Sequence, residues 1–254
     1  MPLLAHLSEL RKRLLVSIVA IVATTILAFL FSDSILRILL MPMKNQNLKA
    51  FNLLDGFMIR WRLSLFAGII VASPIWTLQI YKFIRPALHE QEKNAIGPML
   101  VCVFFLFLAG MAFAFYLLFM MVTGLLSFFP AKIEYLPSAD DYISFVTFFM
   151  IACGVVFELP PFLIILVRLR LLQASKLRAQ RRIAYFILFA FAEIITPVSD
   201  PIVAPLTVMV PLVLLYEVSI LFASRIDRKR TSIEATRLDD GLKPKNRHQA
   251  RRRQ

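Results

Sequence analysis

Six long apolar runs constrain this chain more than any other feature. They fall at Leu14–Phe31, Leu63–Ile80, Ala95–Val122, Tyr142–Val167, Ile183–Ile195 and Ile202–Ala223. A helix needs about 20 apolar residues to cross a hydrocarbon core, where each backbone N–H and C=O must be satisfied within the segment itself. A composition that is 59% hydrophobic and 18% charged over 254 residues agrees with that and excludes a domain surrounded only by water. The expected fold is an all-α polytopic membrane protein with six transmembrane helices. The fifth run, Ile183–Ile195, is short, and only Thr196-Pro197-Val198-Ser199-Asp200-Pro201 separates it from the sixth. These two are expected to form a short hairpin, accommodated by local thinning of the bilayer or a water-filled dent.

With six spans both termini share one side, and the basic residues choose it. Of 29 Lys and Arg, 23 fall on the side that holds the termini, among them Arg11, Lys12 and Arg13, the group Lys82, Arg85 and Lys93, and the cluster Arg168–Arg182. The other side holds Arg37, Lys44, Lys49, Arg60, Arg62 and Lys132. Lys and Arg are retained in cytoplasmic loops, so both termini are expected to be cytoplasmic. Residues 1–224 then form the membrane domain and residues 225–254 a basic cytoplasmic tail. Without an aromatic residue after Phe222 and with mixed polar and charged groups, the tail is expected to be disordered, an orientation anchor rather than a nucleic-acid site. Leu3, Leu7, Leu10 and Leu14 recur at helical spacing, which predicts an amphipathic helix over residues 3–14 at the membrane surface. The longest outer loop, 32–62, carries Pro42 and Phe57 and is expected to be folded.

Three carboxylates interrupt the apolar runs: Glu158, Glu193 and Glu217. An acid at the bilayer centre costs about 2.5–3.5 kcal/mol on insertion scales, so each needs a partner, a proton or a wet cavity. Glu158 stands next to Pro160-Pro161, which remove backbone donors and open the helix. It is either a polar site facing a cavity or one end of an interhelical hydrogen bond, with Gln79 and Thr77 at similar depth on the second span. Glu193 and Glu217 lie nearer the ends of their spans and are read as structural. On the basic side, Glu9, Glu90 and Glu92 are acids where most charges are positive. Glu9 can pair with Arg13 at i,i+4, or the three acids can form an acidic site for a cationic ligand.

The residues of an enzyme are missing from the sequence. HExxH, GxSxG and P-loop patterns do not occur, and His6, His89 and His248 fall outside the apolar runs. Cys102 and Cys153 form neither a CxxC metal site nor a disulfide framework. No catalysis, no metal and no cofactor are therefore expected. A proton-coupled small-solute transporter stays open as a second class, because intramembrane acids suit proton relays.

Several pieces keep a common order and spacing: His6-Leu7-Ser8-Glu9-Leu10-Arg11-Lys12-Arg13-Leu14; Phe83-Ile84-Arg85-Pro86-Ala87-Leu88 with Glu92-Lys93; Gly110-Met111-Ala112-Phe113; Gly154-Val155-Val156-Phe157-Glu158-Leu159-Pro160; Ile195-Thr196-Pro197; and Pro211-Leu212-Val213-Leu214-Leu215-Tyr216-Glu217. Together they resemble the TatC family, the multispanning receptor subunit of the twin-arginine protein translocase, over residues 4–224. The resemblance implies a cupped six-helix bundle that binds the twin-arginine signal peptides of folded cargo, for export driven by the proton motive force across the bacterial inner membrane or its organelle equivalent. It implies TatB-like and TatA-like single-span partners and self-association in a multimeric receptor. Carried over by position, Glu9, Phe83 and Glu92 are the signal-peptide site, supported by Arg13 and Pro86. Glu158 is the intramembrane polar site, with Gln79 its expected neighbour, and Pro42 and Phe57 shape the outer cap. Glu193, and Ser199-Asp200 after the Thr-Pro pair, depart from the family pattern.

Overall fold

The computed structural model describes residues 3–43, 48–87, 96–127, 137–169, 171–196 and 203–242. All of its regular elements are helical apart from a single parallel bridge between Lys49 and Ser138. Helix α1 (Leu3–Phe29) runs unbroken through the expected surface segment into the first span, so the amphipathic stretch and the membrane helix are one rod. No Gly or Pro lies between Leu3 and Phe29 to interrupt it. Leu7, Leu10 and Leu14 are exposed along it, as a stripe facing lipid would be.

After α1 the chain turns through α2 (Ser32–Leu39) and a 3-10 turn at Met41–Met43, then enters α3 (Asp55–Val71) and α4 (Ser73–Ile84). The last two are bent by 52° to each other and together form one candidate span. The bend sits where Ser73-Pro74 follows Ala72, and the ring of Pro74 removes a backbone donor there. The indole of Trp76 donates to the Ile69 carbonyl at 3.2 Å across the break and fixes its angle. The helix starts at Asp55 rather than at the expected Leu63. Arg60 and Arg62 interrupt the apolar run without interrupting the helix, because each has an acid to pair with.

Helix α5 (Ile96–Ser127) is the third span. Helices α6 (Ala139–Val156) and α7 (Leu159–Arg168) make the fourth, interrupted at Phe157-Glu158 just before Pro160-Pro161. A short α8 (Ala174–Ala179) leads to α9 (Arg181–Ile195) and α10 (Val203–Leu242). Among the described residues four helical segments, the α6–α7 pair counted as one, are long and apolar enough to cross a membrane, and the bent α3–α4 pair is a fifth candidate when counted as one span. Helix α9 has 15 residues, roughly 22 Å at 1.5 Å per residue against a core of about 30 Å, and does not meet that length. The chain is thus an all-helical membrane protein with four to five candidate spans. Helix α10 continues past Ala223 to Leu242, where disorder is expected from residue 225. Alternating Arg, Lys, Glu, Ala and Leu are good helix formers, and Gly241 is the first breaker after Pro211.

Helix α1 packs on α3 and α4, α3 on α6, α6 on α5, and α10 on α7 and α9. At the α1–α3 contact the Thr24 hydroxyl donates to the Gly68 carbonyl at 2.8 Å, and a Cβ on Gly68 would overlap Thr25. At the α5–α6 crossing a Cβ on Gly110 would lie 2.7 Å from the Phe157 ring and 2.8 Å from the Cys153 carbonyl. Only glycine admits this approach, and it sets the fourth span's break directly against α5. Cys153 is buried in the same seam, whereas Cys102 is on the outer surface of α5. The core is continuous through Leu63, Leu118, Ile143, Val146, Phe149 and Leu212.

Candidate functional site

One end of the bundle, called here the cap end, is closed by hydrogen bonds. Asp55 is buried and gathers the chain entering α3: its Oδ2 accepts from the Phe51 and Asn52 amides at 2.8 and 2.9 Å, and its Oδ1 from Asn52 Nδ2 at 3.2 Å. Arg62 Nη1 donates to Asp140 Oδ1 at 2.6 Å and to Ser144 Oγ, tying α3 to α6. Arg60 pairs with Asp33 of α2 at 3.0 Å. The Lys49 amide donates to the Pro137 carbonyl at 3.0 Å, the Ala139 amide to the Lys49 carbonyl at 2.9 Å, and the Tyr142 hydroxyl to the Leu39 carbonyl at 2.8 Å. The described parts of the 32–62 segment are therefore folded. Its two expected cap residues differ in placement: Pro42 is fully buried in a turn packed on α5, and Phe57 is 57% exposed on the first turn of α3.

At the opposite end stand the first turns of α1 and the last turn of α4. Thr24 lies against Gly68 and Asp33 against Arg60, so α1 and α3 run antiparallel, and α1 also packs on α4, which brings these to the same end of the molecule. Glu9 is half-buried and held by Arg13 one turn later; Arg13 Nε donates to Glu9 Oε1 at 3.2 Å, and its Nη2 donates to the same oxygen. Oε2 has no hydrogen-bond partner among the described residues. The guanidinium thus fixes the rotamer of the carboxylate and leaves its second oxygen for another donor. Phe83 is half-buried on the last turn of α4, and Pro86 is exposed in the turn Arg85–Ala87 that ends it. Glu92, the other expected acid of this site, lies outside the described residues, as do Ser199 and Asp200.

In the interior, Glu158 occupies the break between α6 and α7. Both carboxylate oxygens are buried without a hydrogen-bond partner among the described residues, so neither Gln79 nor Thr77 is bonded to them. Gln79 is half-buried on α4, and Thr77 is buried with its own hydroxyl unpartnered. One oxygen of Glu193 is likewise buried and unpartnered. Glu217 behaves differently. Its Oε2 accepts from Arg181 Nη2 at 2.7 Å and its Oε1 from the Tyr185 hydroxyl at 2.5 Å, which locks α9 to α10. The Tyr216 hydroxyl to the Leu177 carbonyl, at 2.9 Å, and the Ala174 amide to Asp227 Oδ2, at 2.8 Å, fasten α8 to the same helix. Sequence reading places Glu217 as structural but not its partners; the only local signal is that Arg181 and Tyr185 are four apart on one helix face.

Among the described residues no group of three or more His, Cys, Asp or Glu could hold a metal ion. Likeness to known proteins defines the setting. The family model described as Sec-independent protein translocase protein (TatC) matches residues 5–211. The chain is 37% identical over 237 residues to the Sec-independent protein translocase protein TatC of Carboxydothermus hydrogenoformans, covering 92% of this chain and 97% of that one. It is 34% identical over 245 residues to that of Aquifex aeolicus, covering 92% and 99%. It also superposes on a crystal structure of the twin-arginine translocase receptor TatC in DDM with a TM-score of 0.77 at 34% identity, over 86% of this chain and 99% of that one. A translocase subunit rather than an enzyme, this multi-pass membrane protein belongs to the TatC family, the receptor component of the twin-arginine, Sec-independent protein translocase.

Proposed function

We propose that the chain binds twin-arginine signal peptides through Glu9 and Glu92, with Phe83 beside them, and passes the folded cargo on to single-span TatB-like and TatA-like partners in a multimeric complex. The observation that carries this is the Glu9–Arg13 pair. A carboxylate aimed by a neighbouring guanidinium, with one oxygen uncommitted, is suited to bidentate or shared pairing with an incoming arginine. Lys in the same position offers a point charge without the planar fork and binds less well.

In this reading six helices traverse the bilayer, the short α9 included, and both termini are cytoplasmic. The excess of Lys and Arg on the side holding the termini supports that orientation. The cap end then faces the periplasm of a bacterial inner membrane, or the equivalent compartment of an organelle. Glu158 serves as a polar point on the concave face, where the apolar part of a signal peptide or a partner helix docks. Energy comes from the proton motive force, which supplies about 2.3 kcal/mol per charge moved through 100 mV.

The test is site-specific photocrosslinking from residues next to Glu9 and Glu92 to a twin-arginine signal peptide in native membranes. The expected result is crosslinking that a twin-lysine peptide and a Glu9→Ala/Glu92→Ala variant both lose. Each charge-assisted bond contributes about 1.5–3 kcal/mol, so either change weakens binding by about tenfold or more. Crosslinks that survive both changes in assembled complexes would move the site elsewhere.

A further inference from the structure

An open groove runs between α4, α5 and α7, lined by Trp76, Ile80, Val103 and Ile165, with Thr77, Tyr81 and Arg168 bringing polar groups to it. Thr77 and Arg168 have unused bonding capacity. Arg168 Nε is buried and without a partner among the described residues, and so is the hydroxyl of Thr77, which is 4% exposed. Arg168 is the last residue of α7, where the apolar run ends. The groove therefore begins at a cation at the membrane interface and continues inward along apolar walls, with Ile80 exposed on its rim.

We infer that this groove is a binding site for one anionic phospholipid, its phosphate on Arg168 and one acyl chain along Ile80, Val103 and Trp76. A guanidinium matches a phosphate bidentately, and a partly buried cation without a counter-ion is costly to the fold. A phospholipid brings an anion and a hydrocarbon chain in the order in which the groove presents their complements. The Thr77 hydroxyl, further in, is the donor for an ester carbonyl. Net charge supports an anionic headgroup: the chain is +13 overall, and the basic residues concentrate at the end where Arg168 stands.

The experiment exploits the chain's two tryptophans, Trp61 and Trp76. A Trp61→Phe variant of the full chain, reconstituted in vesicles, leaves Trp76 as the only indole, and its quenching by dibrominated phosphatidylglycerol is compared with that by dibrominated phosphatidylcholine at equal mole fraction. Phosphatidylglycerol should be preferred by about fivefold, the factor one basic residue confers near an anionic surface. Arg168→Gln should abolish the preference while generic quenching remains, Arg168→Lys should keep part of it, and Val103→Phe should lower quenching by both lipids by filling the groove. Circular dichroism and melting confirm that each variant is folded. Equal quenching by the two headgroups in the parent, or a preference unaltered by Arg168→Gln, would overturn the assignment. So would relief of quenching for both lipids alike on addition of a twin-arginine signal peptide, which would give the groove to the peptide.

Discussion

The cap end and the membrane interior treat polar groups in opposite ways. At the cap, Asp55, Arg62, Asp140, Ser144 and Tyr142 all have bonded partners on neighbouring segments. In the interior, Glu158, Thr77, Ser73 and Glu193 each carry buried polar atoms without a partner among the described residues, as does Arg168 at the end of α7. A buried polar group left unmatched costs about 1–3 kcal/mol, more if charged, so the interior is less stable than it needs to be if folding were the sole requirement. The cap is scaffold, built to hold α3 and α6 at a fixed separation. In the proposed reading, the interior keeps that bonding capacity for a signal peptide, a partner helix or a lipid.

The largest effect that bears on this contrast is expected where the scaffold reaches the interior. Gly110→Val would drive a side chain into Phe157 and the Cys153 carbonyl, both at closer than 3 Å from a Cβ. Overpacking of this kind costs about 1–3 kcal/mol and, here, would force α5 from the break that presents Glu158. A fall in melting temperature in detergent, together with loss of export, is the expected readout. Unchanged melting would mean that the seam is looser than the contact distances imply.

Next is a change of opposite sign. Glu158→Leu removes an unmatched acid from the span and should stabilise the isolated chain by about 2 kcal/mol on the insertion scale, while impairing translocation. Stability gained as function is lost is the signature of a group kept for a partner. A destabilised variant would show instead that Glu158 has a bonding role inside the chain. Glu217→Leu is the matched control. It strands Arg181 and Tyr185, both now bonded to that carboxylate, and with the pair about one third exposed the expected loss is about 1 kcal/mol.

The same contrast explains what could be read from the sequence. Apolar runs locate α1, α5, the α6–α7 pair and α10 because lipid demands unbroken hydrophobic helix, a one-dimensional signal. Hydropathy is blind to the 52° bend at Ala72, since Ser73-Pro74 changes geometry without changing mean polarity. It also misses the first turns of α3, because Arg60 and Arg62 look like loop until Asp33 and Asp140 arrive from distant segments to pair with them. The acids were legible as exceptions, but their fates were not. Glu217 and Glu158 both look like lone charges in apolar helices, and only the packing of α9 on α10 separates a satisfied acid from an unsatisfied one. Glu9 was legible together with Arg13, because both lie on one helix at a spacing of four.

That pair yields the smallest stability effect and the finest test. An exposed or half-exposed i,i+4 ion pair contributes only a few tenths of a kcal/mol to a helix. Arg13→Ala should therefore leave the melting temperature of the assembled protein nearly where it was. If Arg13 serves to aim Glu9, signal-peptide binding should still fall severalfold, because the carboxylate then samples several rotamers and must be ordered again each time an arginine binds. Arg13→Lys should keep the charge but lose the two-nitrogen grip on Oε1, and so recover only part of the affinity. A binding defect that Lys repairs completely would reduce Arg13 to a local charge. One that Lys leaves largely unrepaired, with melting unchanged, would show that geometry at Glu9 matters more than the charge beside it.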